Sequence, residues 1–388
     1  MALWDDLTGQ SEAISVVAAA ASASALGGSG DSSMTHSWLI TGPPGSGRSN
    51  LAYAFATALL STGDDEQDAA TARQVAARTH PDLGVLSTEK VIITMEEVKT
   101  AVATSQFSPS VGRYRVMIIE DADRMVERTS NVLLKALEEP PPRTVWILCA
   151  PSAADLIPTI RSRVRTVRLR VPSVDEVAEL IANRDGIDLP TATRAAREAQ
   201  SHIGMAHRLA TNADARERRA KTLEIALGIR TVSNAVVAAA SLLALATDDA
   251  KSITEEKDAE ERESALRSLG IAPGGTIPPQ LRVQIKNLEE DQKRRATRSL
   301  RDGIDRIMVD LLSLYRDILL LQLGVESEPI NLSIHSKLLT AAASGTAQET
   351  LATMDAIATA RRRIESNVSP ALALEAMLIS ARRPETTR

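Results

Sequence analysis

Short runs of consecutive apolar residues alternate with helix-like patterns over the first part of the chain. Helix-like spacing falls at 50–60, 95–105 and 131–137. Runs without polar interruption are typical of parallel strands that are buried on both faces. The pattern predicts an α/β fold, a parallel five-stranded sheet covered by helices on both sides. The five strand-like runs are 37–41, 84–86, 115–120, 145–150 and 166–170.

The strand-like runs stop near residue 171, and helical patterns follow. Ser173 with Glu176 three residues later is typical of a helix start, because each side chain can bond to the backbone N–H of the other. Two further short helices are expected at 190–201 and 205–211. We therefore expect the α/β domain to occupy 1–171 and a small helical lid domain to occupy 172–214.

The remaining residues, 215–388, are expected to form an all-helical domain. A charged stretch at 251–267, read as a solvated helix or linker, leads to a Gly/Pro-rich loop at 270–279. A long helical pattern then covers 281–323. Apolar residues recur along one face of it, which predicts a packing seam rather than a catalytic site. The residues of this stripe are Ile307, Leu311, Leu314, Ile318 and Leu321.

Composition narrows the class of protein. Apolar residues make up 44% of the chain, which is ample for packed cores, and aromatic residues only 2%. The net charge of −5 does not exclude nucleic acid, because a local basic patch can coexist with an acidic total. The single cysteine, Cys149, excludes a disulfide within the chain and fits a reducing cytosol. No signal peptide and no stretch of about 18 apolar residues is evident, so we expect a soluble cytoplasmic protein.

The sequence GPPGSGRS at 42–49 lies between a predicted strand and a predicted helix, which is the setting of a phosphate-binding P-loop. Gly42, Gly45 and Gly47 would let backbone N–H groups turn towards phosphate oxygens, and Ser49 would supply a hydroxyl. The usual lysine is replaced by Arg48, whose planar guanidinium is larger and cannot occupy the same slot unchanged. The segment therefore predicts a degenerate nucleotide site, or a glycine-rich turn without a ligand.

Two acids directly follow the predicted strand at 115–120. Active P-loop ATPases of this kind have aspartate first, for the magnesium shell, and glutamate next, for the attacking water. Here Glu120 precedes Asp121, so the order is reversed. One methylene changes the reach by roughly 1.5 Å, and a misplacement of about 1 Å can cost on the order of 100-fold in rate. Metal binding is not excluded, but efficient hydrolysis is not expected.

The segment that follows is far more specific. EDADRM at 120–125 leads to NVLLKALEEPPPRTVWILCA at 131–150 and then PTIRSR at 158–163. This combination resembles the AAA+ clamp-loader family of bacterial DNA polymerase III, whose members carry an LLK-x-LEEPP run and an SRC motif. Gly9–Gln10, THPD at 79–82 and NVSPALALEAML at 367–378 are also similar to this family. The resemblance implies an AAA+ P-loop domain, a lid and a C-terminal oligomerisation collar, acting in DNA replication.

Within this family the chain resembles the catalytically silent delta-prime class rather than the tau/gamma motors. Its sensor position falls at Ala150–Pro151, which offers no polar side chain, in addition to the changes at Arg48 and Glu120. The implied partners are tau/gamma and delta subunits, with the sliding clamp and primer–template DNA in the complex. No cofactor should be required, although the degenerate site could hold ATP or ADP with Mg²⁺. Zinc is not expected, because 61–78 lacks the four cysteines of related subunits.

Arg163 occupies the arginine position of the SRC motif, here Ser162–Arg163–Val164. The resemblance implies that this arginine reaches into the ATP site of an adjacent subunit, where such fingers contribute about 10³–10⁵ in rate. The alternative is a general basic surface, since Arg161, Arg165 and Arg168 lie close by. On the lid, His207 stands where motor subunits often have arginine, and a surface role is favoured for it.

Two other functions remain open at this stage. An active AAA+ motor, tau/gamma-like or a helicase or remodeller, would need an intact site, which Arg48, Glu120 and Ala150 do not provide. A pure scaffold without any nucleotide or DNA role would fit the degenerate site but would leave Arg163 unexplained.

Overall fold

The computed structural model describes residues 4, 7–25, 34–88, 92–268, 282–366 and 368–381. The chain divides into two compact units, Met1–Thr211 and Asn212–Arg388. The second unit thus begins three residues before the predicted boundary at 215, and the further division of the first unit at 171 stays a prediction. The predicted loop at 270–279 lies outside the described residues.

The first unit contains the predicted five-stranded parallel sheet. The strand order is β2-β3-β4-β1-β5, and every pairing is parallel. The sequence placed each strand to within about one or two residues at either end. The strands are β1 (Ser37–Thr41), β2 (Leu83–Leu86), β3 (Arg115–Ile119), β4 (Thr144–Ala150) and β5 (Arg165–Arg168).

Helices of the first unit cover both faces of this sheet, as predicted. Successive residues of a strand point to opposite faces, so Ile40 and Ile118 enter one apolar cluster while Leu39 and Ile119 enter another. This is why β1, β3 and β4 are apolar at nearly every position. The helices are α1 (Ser11–Ala25), α2 (Arg48–Leu60), α3 (Asp65–Ala76), α4 (Met95–Ser105), α5 (Glu127–Glu138), α6 (Pro158–Arg161), α7 (Val174–Asp185), α8 (Leu189–Glu198) and α9 (Ile203–Thr211).

The start of α7 confirms the predicted capping box. The Ser173 hydroxyl accepts from the Glu176 N–H, and the Glu176 carboxylate accepts from the Ser173 N–H at 2.7 Å. Gly186 ends the helix with φ of 67°, a conformation that glycine adopts without steric cost. These local signals explain why the beginning of the predicted lid was readable from sequence.

The described part of the second unit is helical. The predicted stripe is confirmed as a packing seam: Ile307, Leu311, Leu314 and Ile318 are buried, and Leu321 packs against the same core at partial burial. Its neighbours are apolar residues of the surrounding helices, so the seam is filled within this unit. The helices are α10 (Ala213–Leu227), α11 (Val232–Ser268), α12 (Arg282–Gln322), α13 (His335–Ala343), α14 (Ala347–Glu365) and α15 (Pro370–Ser380).

One segment of α11, Val232–Ser252, is long and apolar enough by composition to cross a membrane. The expectation that no stretch would meet this criterion is therefore wrong. Ala235, Ala239 and Leu242 of this segment are buried in the core of the second unit, which explains its apolar composition. A core helix of a soluble protein passes the same test, so the segment is weak evidence for a membrane span.

Asp82, in the THPD segment, is a fully buried carboxylate that organises the loop before β3. It accepts hydrogen bonds from the backbone N–H groups of Ser110, Val111 and Gly112 at 2.6–2.7 Å, and it pairs with Arg115 at 3.2 Å. Burial raises the pKa of this carboxyl, but the hydrogen bonds outweigh burial and lower it to about 2. The charged form is therefore the one that the fold stabilises.

We expect Asp82→Asn to lower the free energy of unfolding at pH 7 by about 3 kcal/mol, because it leaves Arg115 as a buried cation without a counter-charge. The folded pKa is lower than the unfolded one, so the contribution is complete above about pH 4 and is lost as the pH falls towards about 2. Urea unfolding at pH 7 and pH 3 should show the gap between variant and wild type narrowing in acid. The control is the exposed Asp65→Asn, which should change stability by less than about 0.5 kcal/mol. An equal gap at both pH values would contradict the assignment.

Candidate functional site

The strand order brings three predicted site segments to one edge of the sheet. β1 lies between β4 and β5, and β3 is the next strand beyond β4. Because the strands are parallel, their carboxyl ends meet at the same edge, which is where open α/β sheets bind ligands. The P-loop follows β1, the acidic pair follows β3, and Ala150 ends β4 in register with Thr41.

The P-loop has the backbone shape that its glycines predict. Gly45 and Gly47 have φ of 79° and 92°, where side chains are disfavoured, and Gly47 is the N-cap of α2. A Cβ at Gly42 would lie 2.6 Å from the Ser46 hydroxyl oxygen and 2.8 Å from Cβ of Leu169. The loop therefore depends on all three glycines, and Ser49 is the second residue of the helix that follows.

The Arg48 side chain folds back onto the loop. Its Nη1 donates a hydrogen bond to the carbonyl oxygen of Gly42, at the other end of the same loop. A lysine ammonium is a compact charge, whereas the larger, planar guanidinium of Arg48 bonds to the backbone of the loop itself. The Arg48 guanidinium, the cation that would contact a phosphate, therefore already has a hydrogen-bond partner in its own chain.

Glu120 is also engaged within the chain. Its Oε1 accepts from Tyr53 Oη at 2.7 Å and from Arg78 Nη2 at 3.1 Å. The Arg78 guanidinium carbon lies 5.3 Å from the centroid of the Tyr53 ring, so the three side chains form one cluster. Burial, and then the hydrogen bond to the Glu120 carboxylate, raise the pKa of Tyr53 well above its ordinary value. In an active ATPase, a carboxylate at this position is directed towards magnesium. Here the Glu120 carboxylate instead pairs with Arg78 of its own chain.

Two further predicted positions, Asp121 and Ala150, offer few polar groups to a nucleotide. Asp121 has φ of 51° and pairs with Arg124 at 3.4 Å. Ala150, at the sensor position, is fully buried, and it offers no hydroxyl or amide to a nucleotide. In the part of the chain that the structure describes, no group of three or more His, Cys, Asp or Glu residues could hold a metal ion.

The predicted lid contacts the P-loop directly. The His202 ring packs on Gly45 so closely that a Cβ on this glycine would lie 2.3 Å from Cγ of the imidazole. Gln200 and Ser201, just before it, have positive φ of 52° and 62°, a conformation that few residues other than glycine adopt. The His207 side chain is engaged by a residue of the lid, because its Nδ1 lies 2.6 Å from the Asp185 carboxylate. The hydrogen bond from Arg184, and then that from His207, lower the pKa of Asp185 to about 2.

Arg163 lies at the opposite edge of the sheet. It comes two residues before β5, whose first residue Arg165 is paired with Trp38 near the start of β1. Gly42 lies four residues beyond Trp38, a rise of roughly 13 Å along the strand. The Arg163 side chain is 33% exposed, and it pairs with Glu138. The structure therefore does not bring Arg163 to the P-loop of its own chain.

Four residues of this region were not singled out from sequence: Tyr53, Arg78, Glu138 and His202. Glu138 stands in the quoted LEEPP run and Arg78 directly precedes THPD, so position alone could have drawn attention to both. Two histidines outside the lid, His36 and His80, contact backbone groups of their own chain. His36 Nε2 lies 2.9 Å from the Leu137 carbonyl oxygen, and His80 Nδ1 accepts from the Asp82 N–H at 3.1 Å.

Comparisons with known proteins agree with the motifs. Residues 29–173 match the family described as DNA polymerase III, delta subunit. DNA polymerase III subunit delta' from Pseudomonas aeruginosa is 34% identical over 134 residues, 33% of this chain and 41% of that protein. DNA polymerase III subunit tau/gamma from Haemophilus influenzae is 26% identical over 256 residues, 63% of this chain and 34% of that protein. The chain thus spans less than half the length of these two relatives.

Among solved structures, a DNA polymerase III gamma subunit-related protein from Thermotoga maritima matches with a TM-score of 0.38 and 16% identity, over 89% of this chain and 93% of that chain. This likeness is too loose to bear on function. The family match over 29–173 covers the P-loop, the acidic pair, the LEEPP run and Arg163. By these matches and its motifs, the chain is similar to the delta' subunits of DNA polymerase III.

Proposed function

We propose that this protein is the stator subunit of a bacterial DNA polymerase III clamp loader. It joins tau/gamma and delta subunits, helps them place the sliding clamp on primed DNA, and works in the cytoplasm. Its own P-loop site hydrolyses little or no ATP and needs no nucleotide or zinc. Arg163 acts instead in the ATP site of a neighbouring subunit.

The observation that carries this proposal is the separation of the two sites. The P-loop lies at the carboxyl edge of the sheet, whereas Arg163 lies at the amino edge, roughly 13 Å or more away along the strands. A partly exposed arginine at the far edge cannot stabilise charge at its own P-loop. It is well placed for a phosphoryl group that a second subunit brings to that edge.

The contacts in the P-loop site support the other half of the proposal. Arg48 bonds to Gly42, and Glu120 bonds to Tyr53 and Arg78, so the groups that would meet phosphate and magnesium have partners in the chain. An active motor is disfavoured for this reason. A pure scaffold would fit the site but gives no role to Arg163.

The isolated chain should release phosphate from ATP no faster than the buffer blank, because the lysine, the acid order and the sensor residue are all altered. The measurement is steady-state phosphate release with and without primed DNA. A tau/gamma subunit serves as the positive reference. Hydrolysis at a motor-like rate that Ser49→Ala abolishes would rule out the stator.

A second experiment tests the assembly role directly. The full chain is mixed with tau/gamma, delta and the sliding clamp of the same organism, and clamp transfer to primed DNA is measured. Transfer should require this chain. If transfer proceeds equally well without it, the clamp-loader proposal fails.

A further inference from the structure

The guanidinium of Arg163 is held by its own chain on several sides. Its Nε donates to Glu138 Oε1 at 2.6 Å, and its Nη2 is paired with the same oxygen. Its Nη1 donates to the Thr159 carbonyl oxygen at 2.8 Å and to the Ser162 hydroxyl at 3.1 Å. A guanidinium has five N–H donors. Those on Nε and Nη1 are engaged in hydrogen bonds, and Nη2 lies beside the Glu138 carboxylate as an ion pair.

Glu138 projects from a well-anchored element. It is the last residue of α5, and the neighbouring Leu133 and Leu137 are completely buried against the sheet. The Leu137 carbonyl oxygen also contacts His36 Nε2, at the entrance to β1. The carboxyl end of a helix carries partial negative charge, which favours a cation at this place even apart from the carboxylate. By contrast, α6 before Arg163 is a single turn, Pro158–Arg161.

We propose that Glu138 is a positioning residue for Arg163, an inference that rests on the proposed function. The carboxylate holds the Nε and Nη2 side of the guanidinium, so that the Nη2 end is presented to a phosphate oxygen of the adjacent subunit. An arginine side chain has many rotamers. If the side chain is already fixed in one of them, less conformational entropy is lost when it contacts the phosphate. The last residue of α5 thus fixes the direction in which the chain presents its cation.

The test compares Glu138→Ala, Glu138→Gln and Arg163→Ala in the complete loader, with DNA- and clamp-stimulated ATP hydrolysis as the readout. The difference between wild type and Arg163→Ala defines the hydrolysis that depends on Arg163. Glu138→Ala should lose at least about two thirds of this difference, through kcat rather than the KM for ATP, because a misdirected finger weakens the transition-state contact. Glu138→Gln keeps a hydrogen-bond acceptor and should recover part of the loss. Glu139→Ala, the exposed neighbour, should behave as wild type.

The outcomes separate the positioning role from the proposed function. If Arg163→Ala equals wild type, the finger itself is wrong. If Arg163→Ala lowers hydrolysis but Glu138→Ala matches Glu139→Ala, only the positioning role fails. A rise in hydrolysis with Glu138→Ala would mean that the carboxylate restrains the finger, which also overturns it. The double variant must be no worse than Arg163→Ala alone, and a further loss, or failure of both Glu138 variants to join the loader, would indicate a folding role instead.

Discussion

Arg163→Ala should leave the subunit folded and able to join its partners, yet lower the DNA- and clamp-stimulated ATP hydrolysis of the whole loader. The side chain is one third exposed, and its ion pair with Glu138 is at the surface, so its loss should change stability by less than about 1 kcal/mol. The affected motor site should slow by about 10³-fold or more, as for other fingers. Bulk turnover should fall only in part, because the other motor sites keep their own fingers. Clamp transfer should fall further, since it needs the sites to act together.

Two controls decide what kind of contact Arg163 makes. Arg163→Lys should rescue poorly, because an ammonium cannot reproduce the planar, forked donor set. Arg168→Ala removes a similar exposed charge from the end of β5, three residues beyond the start of the strand. If Arg163→Ala and Arg168→Ala behave alike, the arginines act as a general basic surface, and the finger is wrong.

Removing the second unit, residues 212–388, should abolish assembly with tau/gamma and delta. The apolar stripe of α12 does not itself imply a partner, because it is filled by the core of its own unit. The described surface of this unit nevertheless carries large exposed apolar side chains, which an oligomerisation collar would cover. They include Val232, Val236, Val237, Leu323, Leu339, Leu351 and Leu372. The remaining fragment, 1–211, has its own apolar clusters and should stay folded.

Size-exclusion chromatography of the mixed subunits measures this outcome. The fragment 1–211 should elute as a monomer, apart from the tau/gamma and delta subunits. Circular dichroism of the same fragment should retain its helical signal, which separates loss of assembly from loss of folding. Unchanged co-elution of a folded fragment would contradict the collar.

The sheet could be predicted because each strand carries its own signal. β1, β3 and β4 are buried on both faces, so their apolar runs are continuous and mark the strand ends within one or two residues. The Ser173 and Glu176 capping box was readable for the same reason, since both of its hydrogen bonds are local. α3 was not foreseen, because its sequence is polar and only Val75 is buried.

The three glycines were enough to predict the shape of the P-loop. They did not predict which partners Arg48 and Glu120 have in the folded chain. The partners of Glu120 come from α2 and from the residue before THPD, 67 and 42 positions away. No local pattern reports that Arg78 reaches this carboxylate, or that His202 of the lid packs on Gly45. The contact of Arg163 with Glu138, 25 positions away, could not be predicted for the same reason. Side-chain contacts between distant segments depend on the assembled fold, and one sequence alone does not carry them.

The placement of the P-loop and Arg163 at opposite edges of one sheet gives the molecule a polarity. On the proposed function, the subunits associate head to tail, with the amino edge of one sheet facing the carboxyl edge of the next, through a heterologous contact that need not close into a ring. If the P-loop of this chain hydrolyses little or no ATP, as proposed, it needs no arginine finger from its other neighbour. In a row of ATPase subunits it can complete the site of one neighbour without requiring completion by another. Such a subunit belongs at the end of the series of active sites, where it terminates the row.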